Sequence, residues 1–329
     1  MFLLIYSQKN TILLQIQQSV FFRNLLFKSI FARKIMQRIV YLLVYPLIYG
    51  ISILPFPILY KLSDGIYFFI FHVIRYRRKT VQTNIKLALP NLSQENVNQI
   101  EKKFYKHMCD MFLEMVKTMN ITQKQIEDRF RFTNLEVYKD LEKKGKSVAV
   151  MIAHYATYEW VISMNSKIDF QGFAIYKKIA NPYFDKLVKD IRSKFKATLI
   201  TTKETAKTVA RNKENNVLGV YGFASDQTPR LHSHNYWNSF MGIDVPVHVG
   251  AENLARKYDM NIIFLKVKKT GRGYYEATFE VLTEDIQNEP LYKVTDMFLR
   301  KVEQQIYEEP CYYLWTHKRW KHRNAKPVH

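Results

Sequence analysis

Cysteine is scarce in this sequence, and several short catalytic motifs are missing. The 329 residues include 2 cysteines, Cys109 and Cys311, which excludes a disulfide scaffold and a multi-cysteine zinc site and fits a reducing compartment. The sequence has no glycine-rich phosphate loop, no His-Glu-x-x-His helix and no Gly-x-Ser-x-Gly nucleophile elbow. These absences argue against a P-loop nucleotide hydrolase, a zinc protease and an α/β-hydrolase. We expect neither a metal nor a cofactor.

Acidic residues are also scarce, most of all at the two ends. The chain has 29 Asp and Glu against 50 Lys and Arg, a formal charge of +21. Residues 1–90 contain 12 basic residues and 1 acidic residue, Asp64, and residues 318–329 contain 5 basic residues and no acidic one. This excess predicts a large acidic partner: a phosphorylated lipid, an anionic membrane, nucleic acid or an acidic protein. We do not expect nucleic acid, because the basic residues adjoin apolar runs and no recognised nucleic-acid motif is present.

The first 90 residues are strongly apolar and divide into two segments. Residues 1–35 form a basic, apolar extension without a clear signal-peptide cleavage site, and Met36 is an alternative start. Residues 36–90 are predicted to attach the protein to a membrane. Within them, Ile39–Tyr60 carries no charge over 22 residues, which is long enough to cross a bilayer, although three prolines and Gly50 interrupt it.

A second apolar run, Gly65–Ile74, is too short to cross a bilayer. It is followed at once by four basic residues, Arg75, Arg77, Arg78 and Lys79. We interpret the two runs as one hydrophobic helix and then an in-plane amphipathic element whose basic end meets phospholipid headgroups. For the first run, a bilayer span, interfacial attachment and burial in a soluble core all stay open.

From about residue 91 the pattern is that of a folded domain. Ser93 is predicted to cap a helix that continues to Met119, and Thr122 to cap a second helix. From Lys146 onward, predicted strands alternate with predicted helices. The predicted strands are Ser147–Ala153, Gly172–Tyr176, Ala197–Ile200, Val217–Ala224, Asn261–Lys268, Tyr274–Leu282 and Tyr312–Trp315. This alternation predicts an α/β fold over residues 91–329, with a mixed, largely parallel sheet flanked by helices and ligands at the carboxyl ends of the strands.

The sharpest chemical pattern follows the first of these strands, where His154 and Glu159 are five residues apart. On a regular helix this offset is about 140° around the axis, so the two side chains would not face each other. They can meet if His154 lies in the loop and Glu159 in the first helical turns. A carboxylate that accepts one imidazole N–H would leave the other ring nitrogen free to act as a general base. Spacing alone does not distinguish this pair from an ordinary His and Glu.

Five motifs occur in order along the chain. They are an arginine-rich run leading to Asn84 and Pro90, the His154/Glu159 pair, Tyr176-Lys177 before Asn181-Pro182 with Arg192 following, Asp226-Gln227-Thr228-Pro229, and the aromatic and basic segment Tyr313–Lys321. Together they resemble the bacterial lipid A biosynthesis acyltransferases, the late lauroyl and myristoyl transferases of the lysophospholipid acyltransferase superfamily. The resemblance extends from about Met36 to Lys321.

The chain departs from the family pattern in the loop after the histidine. Ala153, Ala156, Thr157 and Tyr158 stand where the family usually has Gly, Gly, Asn and Trp. An alanine in place of glycine is expected to exclude a conformation with positive φ or a close approach of substrate. This altered loop leaves the choice of acceptor open.

The resemblance implies a glycerol-phosphate-acyltransferase-like fold with an N-terminal membrane-anchoring helix. It also implies transfer of a fatty acyl chain from acyl carrier protein, as a thioester, to a hydroxyl of a phosphorylated glycolipid. No cofactor is implied. The expected location is the inner (cytoplasmic) membrane, where the anionic surface would attract the basic ends, with the catalytic domain on the cytoplasmic side.

The same resemblance suggests roles for individual residues. His154 would take the acceptor proton and Glu159 would orient the imidazole, while Arg192 would stabilise the oxyanion or hold a phosphate. Further substrate-binding residues would be Tyr176, Lys177, Asp226, Gln227 and Arg319. Arg319 is flanked by Trp315 and Trp320 and is expected at headgroup depth.

Two other functions fit these residues. The same fold could acylate a lysophospholipid or an aminolipid, since acceptor pockets are not legible in one sequence. Alternatively, the chain could be a catalytically inactive, membrane-attached relative that binds polyanions. Removing His154 or Glu159 would discriminate between them, because a binding protein tolerates that loss and an acyltransferase does not.

Overall fold

The computed structural model describes residues 32–231 and 236–325, in which helices and strands alternate. Most of the predicted extension, residues 1–35, lies outside this part. The helices are α1 (Ala32–Ile53), α2 (Phe56–Phe68), α3 (Arg78–Ala88), α4 (Gln94–Lys117), α5 (Gln123–Arg129), α6 (Leu135–Lys143), α7 (Pro182–Ser193), α8 (Thr205–Glu214), α9 (Gly250–Tyr258) and α10 (Lys293–Glu308). The strands are β1 (Phe130–Phe132), β2 (Val148–Ile152), β3 (Gln171–Tyr176), β4 (Thr198–Thr201), β5 (Gly219–Ala224), β6 (Trp237–Phe240), β7 (Ile243–Pro246), β8 (Asn261–Gly271) and β9 (Tyr274–Thr283). A π-helical segment (Phe69–Ile74) continues α2, and 3-10 helices cover Tyr158–Ser166 and Pro310–Tyr312.

One mixed sheet contains seven of these strands, in the order β1-β9-β8-β2-β5-β3-β4. Strands β8, β2, β5, β3 and β4 are parallel to one another, β9 returns antiparallel to β8, and β1 is parallel to β9. Strands β6 and β7 form a separate antiparallel hairpin. The predicted α/β class with a mixed, largely parallel sheet flanked by helices is confirmed.

The central strands contain continuous apolar runs. In β2 the sequence VAVMI has no polar residue, and Ala149 and Met151 are fully buried. In β8 the run Ile262–Leu265 is likewise buried. Strands that are covered by helices on both faces show continuous hydrophobic runs of this kind, whereas half-exposed strands alternate. The composition of β2 therefore explains its central position, which in turn fixes where the loop after it emerges.

Helix α4 links the N-terminal helices to the sheet. Its N-cap is Ser93, whose hydroxyl accepts the N–H of Asn96 at 3.2 Å, as the sequence predicts. Near its other end, the fully buried Glu114 accepts hydrogen bonds from the hydroxyls of Tyr60 on α2 (2.9 Å) and Tyr275 on β9 (2.8 Å). Two hydrogen bonds offset much of the cost of burying a carboxylate. They also attach α2 firmly to α4 and the sheet.

Two N-terminal helical segments, Ala32–Ile53 and Phe56–Ile74, are long and apolar enough to cross a membrane. In the second, Phe56 and Leu59 are buried against the domain, whereas Phe68, Phe69 and Val73 are each more than half exposed. An apolar strip on the outer face of a packed helix is typical of a surface that meets lipid or a partner. The first of these helices is a candidate membrane anchor, in line with the sequence prediction.

Two arginines of the basic run after these helices make contacts within the fold that the sequence does not predict. Arg78 makes a two-pronged ion pair with the buried Glu101, with both N–O distances at 2.9 Å. Arg77 donates from Nη1 to the backbone oxygen of Thr316 at 3.0 Å. Arg78 is therefore largely engaged within the fold, whereas the Arg77 side chain is still exposed, so contact of the run with headgroups stays a prediction. Arg75 and Lys79 remain exposed.

By its contacts, the chain divides into two units. In the first, which contains α1 as far as Ile48 and residues Ile179–Val188, Asn181 donates from Nδ2 to the backbone oxygen of Gln37 at 3.0 Å. The second contains Tyr49–Lys178 and the chain from Lys189 onward, and therefore the sheet. Every candidate site residue belongs to the second unit.

One predicted strand is wrong, and one hairpin was missed. In place of a strand over Tyr312–Trp315, the chain makes a 3-10 turn at Pro310–Tyr312 and then a single antiparallel bridge between Tyr313 and Tyr155. The alternating burial of Tyr313 and Trp315 imitates a strand, but no ladder continues from the bridge. The β6–β7 hairpin was missed because it is short and its residues include several polar ones.

Candidate active site

His154 and Asp226 come together because two neighbouring strands end at the same level. In the parallel pair β2 and β5, Ile152 lies opposite Ala224, and His154 and Asp226 each follow two residues later. This is the carboxyl edge of the sheet, where ligand sites in α/β folds form. His154 Nδ1 lies 2.7 Å from Asp226 Oδ1, and the same oxygen accepts the backbone N–H of His154 at 3.1 Å.

The Asp226 carboxylate sets the tautomer and the charge of the imidazole. Its side chain is 1% exposed and that of His154 is 18% exposed. Because an ionised carboxylate only accepts hydrogen bonds, Nδ1 carries the proton and Nε2 is left as the base. Burial is the largest influence on both pKa values, but mutual attraction prevails, so the pKa of His154 is raised and that of Asp226 is lowered. Among the described residues Nε2 has no hydrogen-bond partner, and the side chain is partly exposed, so this nitrogen is available to accept a proton.

Glu159 does not hold the imidazole, contrary to the sequence prediction. It lies in the 3-10 helix Tyr158–Ser166, and its carboxylate contacts the Arg192 guanidinium at 2.6, 2.8 and 3.0 Å. Their side chains are 10% and 22% exposed. The prediction paired residues by their spacing along the chain, but each partner comes from another element, α7 for Glu159 and the end of β5 for His154. Glu159 still raises the pKa of His154 through its charge, and Arg192 lowers it.

The altered loop keeps a left-handed residue without glycine. Ala156 has a φ of +50°, and its N–H donates to the backbone oxygen of Tyr312 at 3.0 Å. The expected loss of positive φ is therefore wrong: the alanine adopts it, at a cost of about 1 kcal/mol, within a fully packed loop. Two residues later in the chain, the ring of Tyr158 meets the His154 ring edge-on, with centroids 4.9 Å apart. The loop and this ring together restrict the imidazole.

Three other predicted residues lie at the same edge of the sheet. Tyr176 ends β3 and is buried, with the Lys189 ammonium 5.7 Å from the centre of its ring. Lys177 follows it and is exposed, and Gln227 is half-buried next to Asp226. Because β2, β3 and β5 are parallel, their carboxyl ends open onto one surface around His154.

The segment Tyr313–Lys321 is turned into the protein. Arg319, Trp315 and Trp320 are 0%, 0% and 1% exposed, so the expectation of a surface at headgroup depth is wrong. The β6–β7 hairpin explains the burial: Arg319 Nη1 donates to the Pro246 oxygen at 3.1 Å, and the Trp320 indole donates to the Phe240 oxygen at 3.2 Å. Burial lowers the pKa of Arg319, while Tyr313 and Asp226 raise it. Arg319 is thus a buried positive charge within electrostatic reach of Asp226.

Sequence reasoning missed two residues that join these segments. Asn84 on α3 donates from Nδ2 to the backbone oxygens of Trp315 (2.8 Å) and His317 (2.7 Å). The His317 ring in turn accepts the backbone N–H of Thr228 on Nε2, at 3.1 Å. Asn84 and His317 belong to the first and last of the five motifs, which was the available signal in the sequence. That signal did not indicate that the two segments are in contact.

The arrangement provides a general base, and neither of the two cysteines is a reactive nucleophile. Burial raises the pKa of the Cys109 and Cys311 thiols to about 12, which keeps both in the unreactive thiol form. Within residues 32–231 and 236–325 no group of three or more His, Cys, Asp or Glu side chains is placed to hold a metal ion. A carboxylate-supported imidazole with one open nitrogen can instead deprotonate a bound hydroxyl for direct attack.

Comparison with known proteins relates this site to one family. The sequence profile described as "Bacterial lipid A biosynthesis acyltransferase" matches residues 29–322, a span that includes all of the site residues above. The lipid A biosynthesis lauroyltransferase of Escherichia coli (strain K12) is 22% identical over 275 residues, which are 82% of this chain and 87% of that protein. A lipid A biosynthesis acyltransferase of Haemophilus influenzae is 23% identical over 149 residues, 44% of this chain and 46% of that protein.

Proposed function

Because the chain belongs to the bacterial lipid A biosynthesis acyltransferase family and is an acyltransferase, we propose that it moves a fatty acyl chain from an acyl carrier protein thioester to a hydroxyl of a phosphorylated lipid A precursor. The observation that carries this proposal is the His154–Asp226 pair at the carboxyl edge of the sheet, with Nε2 open. A hydroxyl acceptor needs a base to become nucleophilic, and a thioester is already an activated acyl donor.

The proposed reaction proceeds in two steps without an acyl-enzyme. The acceptor hydroxyl gives its proton to His154 Nε2 as its oxygen attacks the thioester carbonyl carbon. The tetrahedral intermediate then expels the thiolate: the carbon–sulfur bond breaks, and the imidazolium returns its proton to the sulfur. Between these steps the buried Asp226 carboxylate stabilises the imidazolium.

The remaining site residues are assigned to substrate by their chemistry. Arg192 uses Nε and Nη2 to hold Glu159, so Nη1 is the group we assign to the oxyanion or to an acceptor phosphate. The exposed Lys177 would add charge for the phosphate, and Tyr176 and Gln227 would line the entrance. Arg319 is buried, so we assign it to supporting Asp226 and not to binding substrate.

We also propose attachment to the cytoplasmic face of the inner membrane. Support comes from the apolar helix α1, from the outward apolar strip of α2 and from the exposed Arg75 and Lys79 that follow it. Cations next to an apolar strip are drawn to anionic lipid headgroups. The acidic carrier protein and the lipid acceptor would meet at this surface.

The test is an acyl-transfer assay with the purified, detergent-solubilised protein, read by mass spectrometry. Donors are acyl carrier protein thioesters of several chain lengths, and acceptors are a tetra-acylated lipid A precursor, a lysophospholipid and a lyso-aminolipid. We expect an added acyl mass on the lipid A precursor that is lost in His154→Ala and retained in His72→Ala, a control at an exposed histidine.

Each other outcome has a defined meaning. Product on the lysophospholipid or the aminolipid alone would keep the chemistry and overturn the acceptor, which the altered loop at Ala156 makes a real alternative. No product on any acceptor would overturn the proposed function and favour an inactive, membrane-attached relative. Product that survives His154→Ala would keep the acyl transfer and overturn the role assigned to His154.

A further inference from the structure

A second histidine, His317, lies beside the site and is held by two segments of the site itself. Its Nε2 accepts the backbone N–H of Thr228, two residues after Asp226, at 3.1 Å. The backbone N–H of His317 donates to the oxygen of Leu314 (3.2 Å), and the N–H of Leu314 donates to the oxygen of His154 (3.1 Å). The ring therefore lies between the loop that carries Asp226 and the segment bonded to His154.

The backbone around His317 is fixed from the other side by helix α3. Asn84 holds the oxygens of Trp315 and His317, and Arg77 holds the oxygen of Thr316. Three consecutive carbonyl groups are thus bonded to side chains of one helix segment. With the backbone fixed in this way and the ring held by the Thr228 N–H, little entropy is lost when the ring meets a substrate, which is the requirement for a preorganised hydrogen-bond donor.

The hydrogen bond from Thr228 determines the protonation of the ring. An amide N–H can donate to Nε2 only if that nitrogen carries no proton, so the proton of the imidazole is on Nδ1. Burial, opposed by Asp226 and reinforced by the charge of His154, lowers the pKa of His317 to about 4. The ring is therefore neutral near pH 7 and offers an Nδ1–H donor. The residue is partly exposed.

We propose that His317 is a further catalytic residue, whose Nδ1–H donates a hydrogen bond to the thioester oxygen as that oxygen becomes negative. The assignment rests on the proposed acyl transfer. When the acceptor oxygen bonds to the carbonyl carbon, the carbonyl π electrons move to this oxygen; they return when the carbon–sulfur bond breaks. His317 stays neutral throughout, so it stabilises the oxyanion without repelling the imidazolium that forms on His154. It is not a second base, because Nε2 is occupied and weakly basic.

Two amide substitutions separate this role from a purely structural one. Asparagine places its NH2 group near the position of Nδ1, whereas glutamine reaches the position of Nε2 and can still accept the Thr228 N–H. If His317 donates to the oxyanion, His317→Asn retains more kcat than His317→Gln and His317→Ala. If the ring only holds the Thr228 loop, the order of Asn and Gln is reversed.

The assay measures kcat and the acceptor KM for wild type and the three variants, with thermal unfolding as a check of folding. Loss of one oxyanion donor lowers kcat by about 100- to 1,000-fold, so we expect a fall of that order in His317→Gln with a nearly unchanged acceptor KM. A raised acceptor KM with retained kcat would assign the donor to an acceptor phosphate and overturn the proposal, as would equal or better activity of His317→Gln than of His317→Asn. Absence of product from the wild type would instead refute the proposed function, and this inference with it.

Discussion

Replacing Asp226 with asparagine tests which acid serves His154. The change keeps an oxygen for the backbone N–H of His154 but removes a buried charge 2.7 Å from Nδ1. A hydrogen bond to a charged group contributes about 1.5–3 kcal/mol, so the loss of imidazolium stabilisation alone predicts a roughly 10- to 150-fold fall in kcat/KM. If the amide NH2 turns towards Nδ1, the imidazole proton moves to Nε2 and the fall approaches ~10⁴-fold, since the base is then lost.

The pH profile separates this effect from a loss of fold. Wild-type kcat/KM is expected to rise with pH through an apparent pKa above 6.5, because Nε2 must be unprotonated to act and Asp226 raises the pKa of His154. In Asp226→Asn, burial still disfavours the imidazolium but the opposing charge is gone, so the acid limb moves to lower pH. Glu159→Gln should move it less, because Glu159 is bonded to Arg192 and acts on the imidazole through its charge alone.

Stability provides an independent readout with a defined sign. The raised pKa of His154 means that the ion pair stabilises the fold below about pH 6.5, and this contribution is lost as pH rises through the pKa of the folded state. Asp226→Asn should therefore lower thermal stability more at pH 6 than at pH 9. Asp140→Asn, at a side chain 61% exposed, is the matched control and should change neither activity nor stability. The reasoning is refuted if Glu159→Gln shifts the acid limb as far as Asp226→Asn.

Three further predictions concern the residues around this pair. Arg192→Ala should destabilise the protein by about 3 kcal/mol, because it leaves the Glu159 carboxylate buried without a counter-charge, and the double variant with Glu159→Gln should regain part of that loss in denaturant unfolding. Ala156→Val should cost about 2 kcal/mol or more, since a β-branched residue is strained at φ +50°, whereas Ala156→Gly should stay within about 1 kcal/mol of wild type by the same measurement. Asn84→Ala should cost about 1–3 kcal/mol, because two backbone oxygens lose their donor, and kcat should fall with it if His317 has its proposed role. Asn84→Asp also lacks this donor, and the same loss of stability in it with an unchanged kcat would contradict that link.

The fold class could be predicted because local composition determines it. The run from Val148 to Ile152 is apolar throughout, and helix α4 begins at the predicted cap, Ser93. Burial on both faces and a capping hydroxyl are properties of a few neighbouring residues, so one sequence displays them. The prediction of a strand over Tyr312–Trp315 is wrong for the same reason. Its alternation of buried residues is a local property, but a strand also needs a partner that continues the ladder, and Tyr313 makes one bridge only.

The pairing within the site could not be predicted, although both members were singled out. His154 and Asp226 are 72 residues apart, and two strands, β3 and β4, come between them in the chain. Their contact depends on β5 lying next to β2 in the sheet, which is a matter of strand order and not of sequence spacing. Glu159 was predicted as the partner of His154 because it is the nearer acid along the chain, and distance along the chain is what a sequence shows. His317 was not singled out at all, since its role depends on a hydrogen bond to the distant Thr228.

Three basic residues from the two ends of the chain, Arg77, Arg78 and Arg319, hold elements of the fold together. Arg77 and Asn84 bind the backbone from Trp315 to His317, Arg78 pairs with buried Glu101, and Arg319 is enclosed by the β6–β7 hairpin. Formal charge therefore overstates what these ends offer to an anionic membrane, because Arg319 is fully buried and Arg78 is paired with Glu101, although Arg77 stays exposed. Their contribution is instead geometric. Asn84 binds the backbone oxygen of His317, 233 positions away, and the His317 ring accepts the N–H of Thr228 in the loop that carries Asp226. The placement of the general base therefore depends on the N-terminal segment as well as on the strands that carry it.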